Sequence, residues 1–487
     1  MPNRVAQFDL VEAAKEVMAA QGFETDFPPE AKRQLAELDS SPPSISPAAG
    51  FRDLRSLVWS SIDNDTSRDL DQIEVAEQLS AGQVRLLIGI ADVDAFVPRS
   101  SPIDQYAQKQ TTTVYTGVRI FPMLPEQLST GATSLLEGAD RLALVIEFVV
   151  NDDGTVASGD IYRALVQNHA QLTYEGVGAW LEGRGETPPK VAASSQLEQQ
   201  LELQDRVARA LNQQRHQQGA LDLETSEVHA VFFHDQVVGV AQEEKNRATQ
   251  LIEDFMIAAN GVVARRLRSV PSIRRIVKTP ERWDRIVQLA ARLGTQLPPQ
   301  ADARALNDFL ARQRTADPDH FPDLSLSIIK LLGPGEYVLE RPADPGQGHF
   351  GLAVEDYTHS TAPNRRFADV VTQRIIKSEI GRTSAPYSEA ELSTIAANCT
   401  AKGDAARKVE REMSKRIAAV AMSGRVGEKF DAIVTGVTPR GTFVRVLKPH
   451  VEGLLAGGAE GLDVGDKLGV KLVRTDPQRG YIDFERA

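Results

Sequence analysis

The run Ser60-Ser-Ile-Asp-Asn-Asp-Thr-Ser-Arg-Asp-Leu-Asp-Gln72 places four aspartates, Asp63, Asp65, Asp69 and Asp71, within nine residues. It begins where one apolar stretch, Leu57-Val-Trp59, ends, and it stops where another, Ile73-Glu-Val-Ala76, begins. It therefore reads as a polar connection between two strands. Carboxylates this close repel one another, and a bound Mg²⁺, a hard ion that takes oxygen ligands, reverses the sign of that interaction. A solvated acidic loop fits the same residues, because Asp and Asn favour turns on their own. Read alone, the run leaves both possibilities open.

Further strands are expected at Val84 to Ala91 and Arg141 to Val150, with Asn151-Asp-Asp-Gly154 turning the latter into a hairpin with Val156 to Leu165. After Leu172 helical patterns dominate, including Gln250 to Arg268 and Asp404 to Met422. Upstream, Phe8 to Leu38 reads as two short helices broken at Gly22 and restarted at Pro28-Pro29, a helix-turn-helix-like unit joined to the body by the Pro- and Ser-rich stretch Asp39 to Pro47. From Gly427 short strands return at Asp431 to Val434, Thr442 to Val446, Leu468 to Val473 and Tyr481 to Phe484, which suggests a small closed five-stranded barrel of the OB type. The fold class is α+β and multidomain: a helical unit at 1–50, a large mixed body at 51–424 and the barrel at 425–487. At 487 residues the chain is too long for one core.

Composition, with 41% hydrophobic and 25% charged residues, is that of a globular protein. A single cysteine, Cys399, excludes an intrachain disulfide and a cysteine-rich zinc site and suits a reducing cytoplasm. No segment reads as a signal peptide or a membrane span. The net charge of −12 argues against a protein that coats nucleic acid, yet His359 to Arg425 carries 12 Lys plus Arg against 7 Asp plus Glu, so the late part of the body is locally basic.

In that basic region, Tyr357-Thr-His-Ser-Thr-Ala-Pro-Asn-Arg-Arg-Phe-Ala-Asp-Val-Val-Thr-Gln-Arg374 sets Arg365 and Arg366 after a proline turn at the start of a helix. Forked guanidinium donors at a helix start suit a phosphodiester, although surface ion pairs would explain the same residues. His359, alone beside the turn, reads as structural.

Together the two stretches resemble the ribonuclease II family of exoribonucleases and its RNB catalytic domain. Ile90-Ala-Asp-Val93, Phe121 to Ser129, Gly219-Ala-Leu-Asp222, Leu251 to Asn260 and Val409-Glu-Arg-Glu412 look like further family segments in the same order, over roughly Leu54 to Met422. The resemblance implies a 3′-to-5′ exoribonuclease that hydrolyses single-stranded RNA processively to nucleoside 5′-monophosphates, with Mg²⁺, or Mn²⁺ in its place. By position, Asp63, Asp69 and Asp71 match metal-binding or catalytic aspartates, Asp71 being the critical one, and Arg365 matches the arginine that grips the terminal phosphates. Tyr115 and Tyr174 match aromatics along the RNA end, and Glu253 and Glu410 match acids near the last riboses; Arg366 is grouped with these RNA contacts. The family's fourth aspartate falls on Gln72, whose neutral amide binds a divalent ion more weakly; Asp65, Asp92 or a water is expected to stand in for it, and Asp92 and Asp94 read equally as loop caps. Where the family often stacks a phenylalanine, this chain has Leu223.

The tail resembles the S-one class of OB-fold RNA-binding domain through Gly436-Val, Gly441-Thr-Phe-Val, Val451-Glu-Gly-Leu and Val464-Gly-Asp-Lys-Leu. That resemblance implies RNA contacts at Phe430, Phe443, Arg440 and Lys448. Met1 to Gly50 is too short for the pair of cold-shock barrels that usually precede the catalytic domain, which implies a more open entrance and altered tolerance for structured RNA. The expected partner is single-stranded RNA with a free 3′ end, and the expected state a cytoplasmic monomer with no membrane association. The competing reading is an RNA-binding protein whose nuclease site is weakened or inactive, since Gln72 already departs from the acidic motif.

Overall fold

A computed structural model describes residues 8–40, 50–80, 82–224, 228–233, 236–242, 245–318, 320–342, 344 and 346–487. The helices are α1 (Leu10–Ala20), α2 (Pro29–Ser40), α3 (Pro102–Gln110), α4 (Tyr174–Leu181), α5 (Pro189–Ala192), α6 (Ser195–Gln217), α7 (Arg247–Arg266), α8 (Trp283–Arg292), α9 (Ala303–Ala316), α10 (Phe321–Leu332), α11 (Phe367–Gly381) and α12 (Glu389–Met422). The strands are β1 (Arg52–Asp53), β2 (Trp59–Asp63), β3 (Gln72–Ser80), β4 (Gln83–Ala91), β5 (Val114–Tyr115), β6 (Ile120–Phe121), β7 (Asp140–Asn151), β8 (Val156–Thr173), β9 (Val228–Phe233), β10 (Gln236–Gln242), β11 (Ser272–Ile276), β12 (Glu336–Glu340), β13 (Lys429–Thr438), β14 (Gly441–Val446), β15 (Val451–Gly457), β16 (Lys467–Asp476) and β17 (Tyr481–Arg486). No helix among the described residues is long and apolar enough to cross a membrane.

The body is built on a six-stranded sheet in the order β1-β8-β2-β3-β4-β7. β8 bends the sheet back on itself: its first part pairs antiparallel with β7, and its last residues pair in parallel with β2, ending at Asp63↔Thr173. The hairpin joining β7 to β8 needs the expected glycine, since Gly154 has φ +80° and a Cβ there would fall 2.1 Å from the Ala210 carbonyl oxygen. β2 and β3 touch at one register pair, Ser60↔Glu74. Below it the Gln200 side chain bridges the splayed strands, accepting from Ala76 N at 3.0 Å and donating to Val58 O at 3.1 Å.

Alternation along the strands covers both faces. Ile62, Ile88, Ile90 and Ile146 meet Leu201, Leu251, Phe255 and Val371 from the helices, while Trp59, Ile73, Val75, Leu87 and Val145 pack under Leu54, Leu57, Leu135 and Leu136. Leu57 was expected in the first strand and lies in a turn instead, because the Trp59 indole donates to Leu54 O at 2.8 Å and holds residues 54–57 bent. β2 therefore runs on into the acidic motif and ends on Asp63. The two N-terminal helices form as expected, with Ala14, Val17 and Met18 of α1 packed against Val114, Phe121, Val409 and Met413. α2 takes in Asp39 and Ser40 from the expected linker, the rest of which lies outside the described residues. Leu223 packs beside the core of the lobe formed by α8, α9 and α10.

α12 starts earlier than its periodicity suggested. A capping box of Ser388 and Glu391 launches it, and Leu392, Ile395, Ala396 and Cys399 bury its first turns, so Gly403 lies inside the helix rather than before it. Its 34 residues span about 51 Å. At the far end Ala419 and Met422 enter the core of the barrel β13-β14-β15-β17-β16, beside Val434, Val444, Leu472 and Phe484. Arg445 on the barrel makes a two-pronged ion pair with Asp323 of α10, at 2.9 and 3.0 Å.

Phe430 corrects an expectation. Alternation on β13 turns Phe430, Ala432 and Val434 inward, so Phe430 is 8% exposed and meets Phe484 edge to face with ring centres 6.4 Å apart. It is core, not an exposed stacking platform. Phe443 alternates to the outer face of β14 and is half-buried.

Candidate active site

The end of β2 delivers Asp63, whose Oδ1 accepts from its own loop, Asn64 N at 2.7 Å and Ser67 Oγ at 2.7 Å. The loop then returns over Leu70, which is fully buried and anchored on both sides: Leu70 N donates to Ser134 Oγ at 2.9 Å and Leu135 N donates to Leu70 O at 3.0 Å. Burying Leu70 sends its two neighbours, Asp69 and Asp71, the other way.

Asp71 is 1% exposed. Its Oδ1 accepts from Asn364 N at 2.9 Å, and its Oδ2 lies 3.4 Å from Arg365 Nε, so stretches 293 positions apart meet at one carboxylate. Asp69 Oδ2 accepts from the Tyr115 hydroxyl at 3.3 Å. Burial pushes the Asp71 carboxyl up to about 7; Arg365 and Asn364 pull it down and the charges of Asp69 and Asp369 push it further up. Asp69 is also raised, first by burial, with Asp63 adding to the effect while Arg365 opposes it.

Arg365 is aimed by a tightly bound turn. Ala362 N donates to Asp369 Oδ1 at 2.8 Å, Thr133 Oγ1 donates to Asn364 Oδ1 at 2.6 Å, and Thr113 N donates to Arg365 O at 3.0 Å. Within that turn the two arginines part company. Arg366 is engaged with Asp369 through Nε at 2.9 Å and Nη2 at 2.8 Å, whereas the Arg365 side chain stays half-exposed over Asp71. Tyr115, 39% exposed on the β5–β6 hairpin, stands beside them.

The remaining expected residues lie on other elements. Tyr174 opens α4, and its carbonyl accepts from Asn246 Nδ2 at 2.9 Å, the same side chain that caps α7. Glu253 of α7 is half-exposed and paired with Lys245 at 2.8 Å. Glu410 follows Val409, which packs with Val114 and Phe121 of the hairpin. Asp92 and Asp94 do not join the acidic cluster: Lys377 pairs with both, and Arg374 binds Asp94 at 2.6 Å and Asp104 at 2.8 Å. Asp92 therefore does not make good the carboxylate missing at Gln72, and Asp65 is exposed in the loop. His359 is half-buried, 2.6 Å from the Tyr337 hydroxyl, and the loss of solvent around its ring holds it well below the usual histidine range.

Sequence reasoning missed three features. Asn364 contributes its backbone amide, which no residue type signals; Thr133 and Ser134 act as pins for the two loops. The third is Glu74, fully buried on β3, neither of whose carboxylate oxygens has a hydrogen-bond partner among the described residues. A glutamate in the apolar run Ile73-Glu-Val-Ala was its visible trace.

Among the described residues no three Asp, Glu, His or Cys side chains stand together as a ready metal cage. The donor set nevertheless suits a hard divalent ion, because Mg²⁺ is commonly held by one or two carboxylates with water and substrate phosphate oxygens filling its other positions. Asp69, raised by burial and by the charge of Asp63, and Asp71, raised by burial and by the charges of Asp69 and Asp369, are carboxylates whose ionised forms a divalent cation would favour.

Residues 51–381 match the protein family described as RNB domain, and residues 428–487 match the RNase II-type exonuclease C-terminal S1 domain. The chain is 29% identical over 507 residues to Ribonuclease R 1 of Lactococcus lactis subsp. lactis, covering 96% of this chain and 60% of that protein. It is 30% identical over 451 residues to Ribonuclease R of Escherichia coli, covering 88% of this chain and 54% of that protein. It thus spans little more than half the length of these relatives. A solved structure of Mycoplasma genitalium RNase R in complex with ribose methylated single-stranded RNA superposes with a TM-score of 0.86 at 21% identity, covering 98% of this chain and 78% of that one, a likeness of fold.

Proposed function

Since the chain belongs to the RNB family, we propose that it is a 3′-to-5′ exoribonuclease that hydrolyses single-stranded RNA to nucleoside 5′-monophosphates. The observation that carries this reading is the meeting of Asp71 with Asn364 N and Arg365 Nε, an acid and a phosphate-binding base assembled from distant stretches. Attack by water on the phosphorus of the terminal nucleotide breaks its bond to the preceding 3′-oxygen, which leaves with a proton. Arg365 binds the phosphate oxygens and offsets the charge that grows on them. Arg366, tied to Asp369, holds the turn that aims its neighbour. Tyr115 offers a ring face to the last base, and Tyr174, Glu253 and Glu410 line the path of the terminal nucleotides, where glutamates accept from ribose hydroxyls and so favour RNA.

Asp63, Asp69 and Asp71 would hold a divalent cation, which we take to be Mg²⁺. When bound, it supplies Lewis acidity to the phosphate and lowers the pKa of water. The barrel binds RNA upstream of the site, and the protein works as a cytoplasmic monomer.

The test is incubation of a uniformly labelled, unstructured RNA with and without Mg²⁺, with Asp71→Asn as control. Mononucleotide released only by the wild type and only with the cation is expected. The second reading, an RNA-binding protein with an inactive site, is favoured by Gln72 and by the lack, among the described residues, of a complete carboxylate cage. It predicts cation-independent binding and no mononucleotide.

A further inference from the structure

Glu74 is a buried acid that the account above leaves without a purpose. It lies two residues beyond Gln72 on β3, and strand alternation puts Gln72, Glu74 and Ala76 on one face while Ile73 and Val75 take the other. Around it are Ser60, its register partner on β2, and Ile88, its partner on β4. Glu74 is 0% exposed and both of its oxygens lack partners among the described residues, as does Ser60 Oγ. β2 leads from Ser60 directly to Asp63. Burial drives the Glu74 carboxyl well above its usual range, and the charge of Asp63 pushes it the same way, so the two acids lie within electrostatic reach.

An unpaired carboxyl in such a place is costly, and a Val or Leu would fill the same strand position at no such penalty. What would offset the cost is a cation close by. The Asp63 end of β2 and the Gln72 end of β3 are where the proposed divalent ion is bound, and there the chain has an amide in place of a carboxylate.

We propose that Glu74 belongs to this cation site and supplies, from the same face of β3, the negative charge that Gln72 does not carry. The inference rests on the cation-dependent nuclease reading. It makes Gln72 one half of a relocated acid: the amide stands at the first residue of β3, and the charge sits one pleat further along the same face.

The test is Mn²⁺ binding to the full chain, stripped with EDTA and then exchanged into chelator-free buffer at neutral pH, with free Mn²⁺ read by its electron paramagnetic resonance signal. Four proteins are compared: wild type, Glu74→Gln, Gln72→Asp and the double variant. Glu74→Gln is expected to weaken Mn²⁺ binding by about tenfold or more without lowering the melting temperature in EDTA. Gln72→Asp added to it is expected to restore affinity. Unchanged binding by a folded Glu74→Gln, or a double variant as weak as the single one, overturns the proposal. Gln72→Asp alone gives a reading that does not need Glu74→Gln to fold: it should change affinity by less than about threefold, and a gain of about tenfold would mean that the charge had been missing. Failure of the wild type to bind Mn²⁺ refutes the cation site itself, whereas tight wild-type binding that ignores Glu74→Gln refutes only the role of Glu74.

Discussion

Replacing Asp71 by Asn should abolish hydrolysis and, without a divalent cation, make the protein more stable. Burial raises the folded-state carboxyl from 3.8 to about 7. Between those two values the folded chain holds a proton that the unfolded chain has released, so the wild type loses stability as pH rises from about 4 to about 7. Three pH units at about 1.4 kcal/mol each put the full loss at about 4 kcal/mol. Asparagine keeps an acceptor for Asn364 N and carries no charge to bury. At pH 8 in EDTA, Asp71→Asn should therefore exceed the wild type by up to about 4 kcal/mol, or about 5 °C in the melting of a body of roughly 370 residues. The gap should shrink to nothing at pH 4. Adding Mg²⁺ should raise the melting temperature of the wild type alone. Scanning calorimetry at the two pH values, with and without Mg²⁺, measures all of this. An asparagine variant that melts at or below the wild type at pH 8, or a gap equal at both pH values, would refute the reasoning.

Three further outcomes follow from the same geometry. Tyr115→Ala should weaken binding of an RNA 3′ end by about 1 to 3 kcal/mol in anisotropy titrations at fixed salt, whereas Tyr115→Phe, which keeps the ring and loses the bond to Asp69, should stay within about 0.5 kcal/mol. Arg374→Met leaves Asp94 and Asp104 without their guanidinium and should cost about 3 to 5 kcal/mol in urea unfolding, with activity per folded molecule unchanged. Phe430→Ala should destabilise the barrel by about 3 to 5 kcal/mol; Phe443→Ala should leave its melting unchanged and lower RNA affinity.

Much of this was legible in the residues. The Asp63 to Asp71 run and the Arg365 turn stood out in the sequence as crowded carboxylates and guanidiniums, but each alone fitted a solvated loop or surface ion pairs, and only their joint resemblance to the ribonuclease II family made them one site. What joins them was not legible: Asn364 acts through its backbone amide, and Thr133 and Ser134 through ordinary hydroxyls placed by tertiary structure. Phe430 and Phe443 look alike as aromatics in short strands, and only the register of β13 and β14 separates core from surface. The helix expected from Asp404 to Met422 begins at Glu389 instead, because packing on both sides of Gly403 carries α12 through. Glu74 was visible as a charge in an apolar run, yet its burial depends on the bent meeting of β2 and β3 at a single pair.

α12 joins the N-terminal helices and the β5–β6 hairpin at its middle to the barrel core at its end. A helix that plants its last turn inside another domain sets the compass bearing of that domain as well as its distance. One extra residue would advance the barrel by only about 1.5 Å but swing it through about 100°, prising Arg445 from Asp323. Gly403 has no neighbour within 4 Å of where a Cβ would stand, so an alanine put there in exchange should pass unnoticed. The same alanine inserted beside it should turn the outer face of the barrel away from the body and uncouple RNA capture from cleavage while each part stays folded.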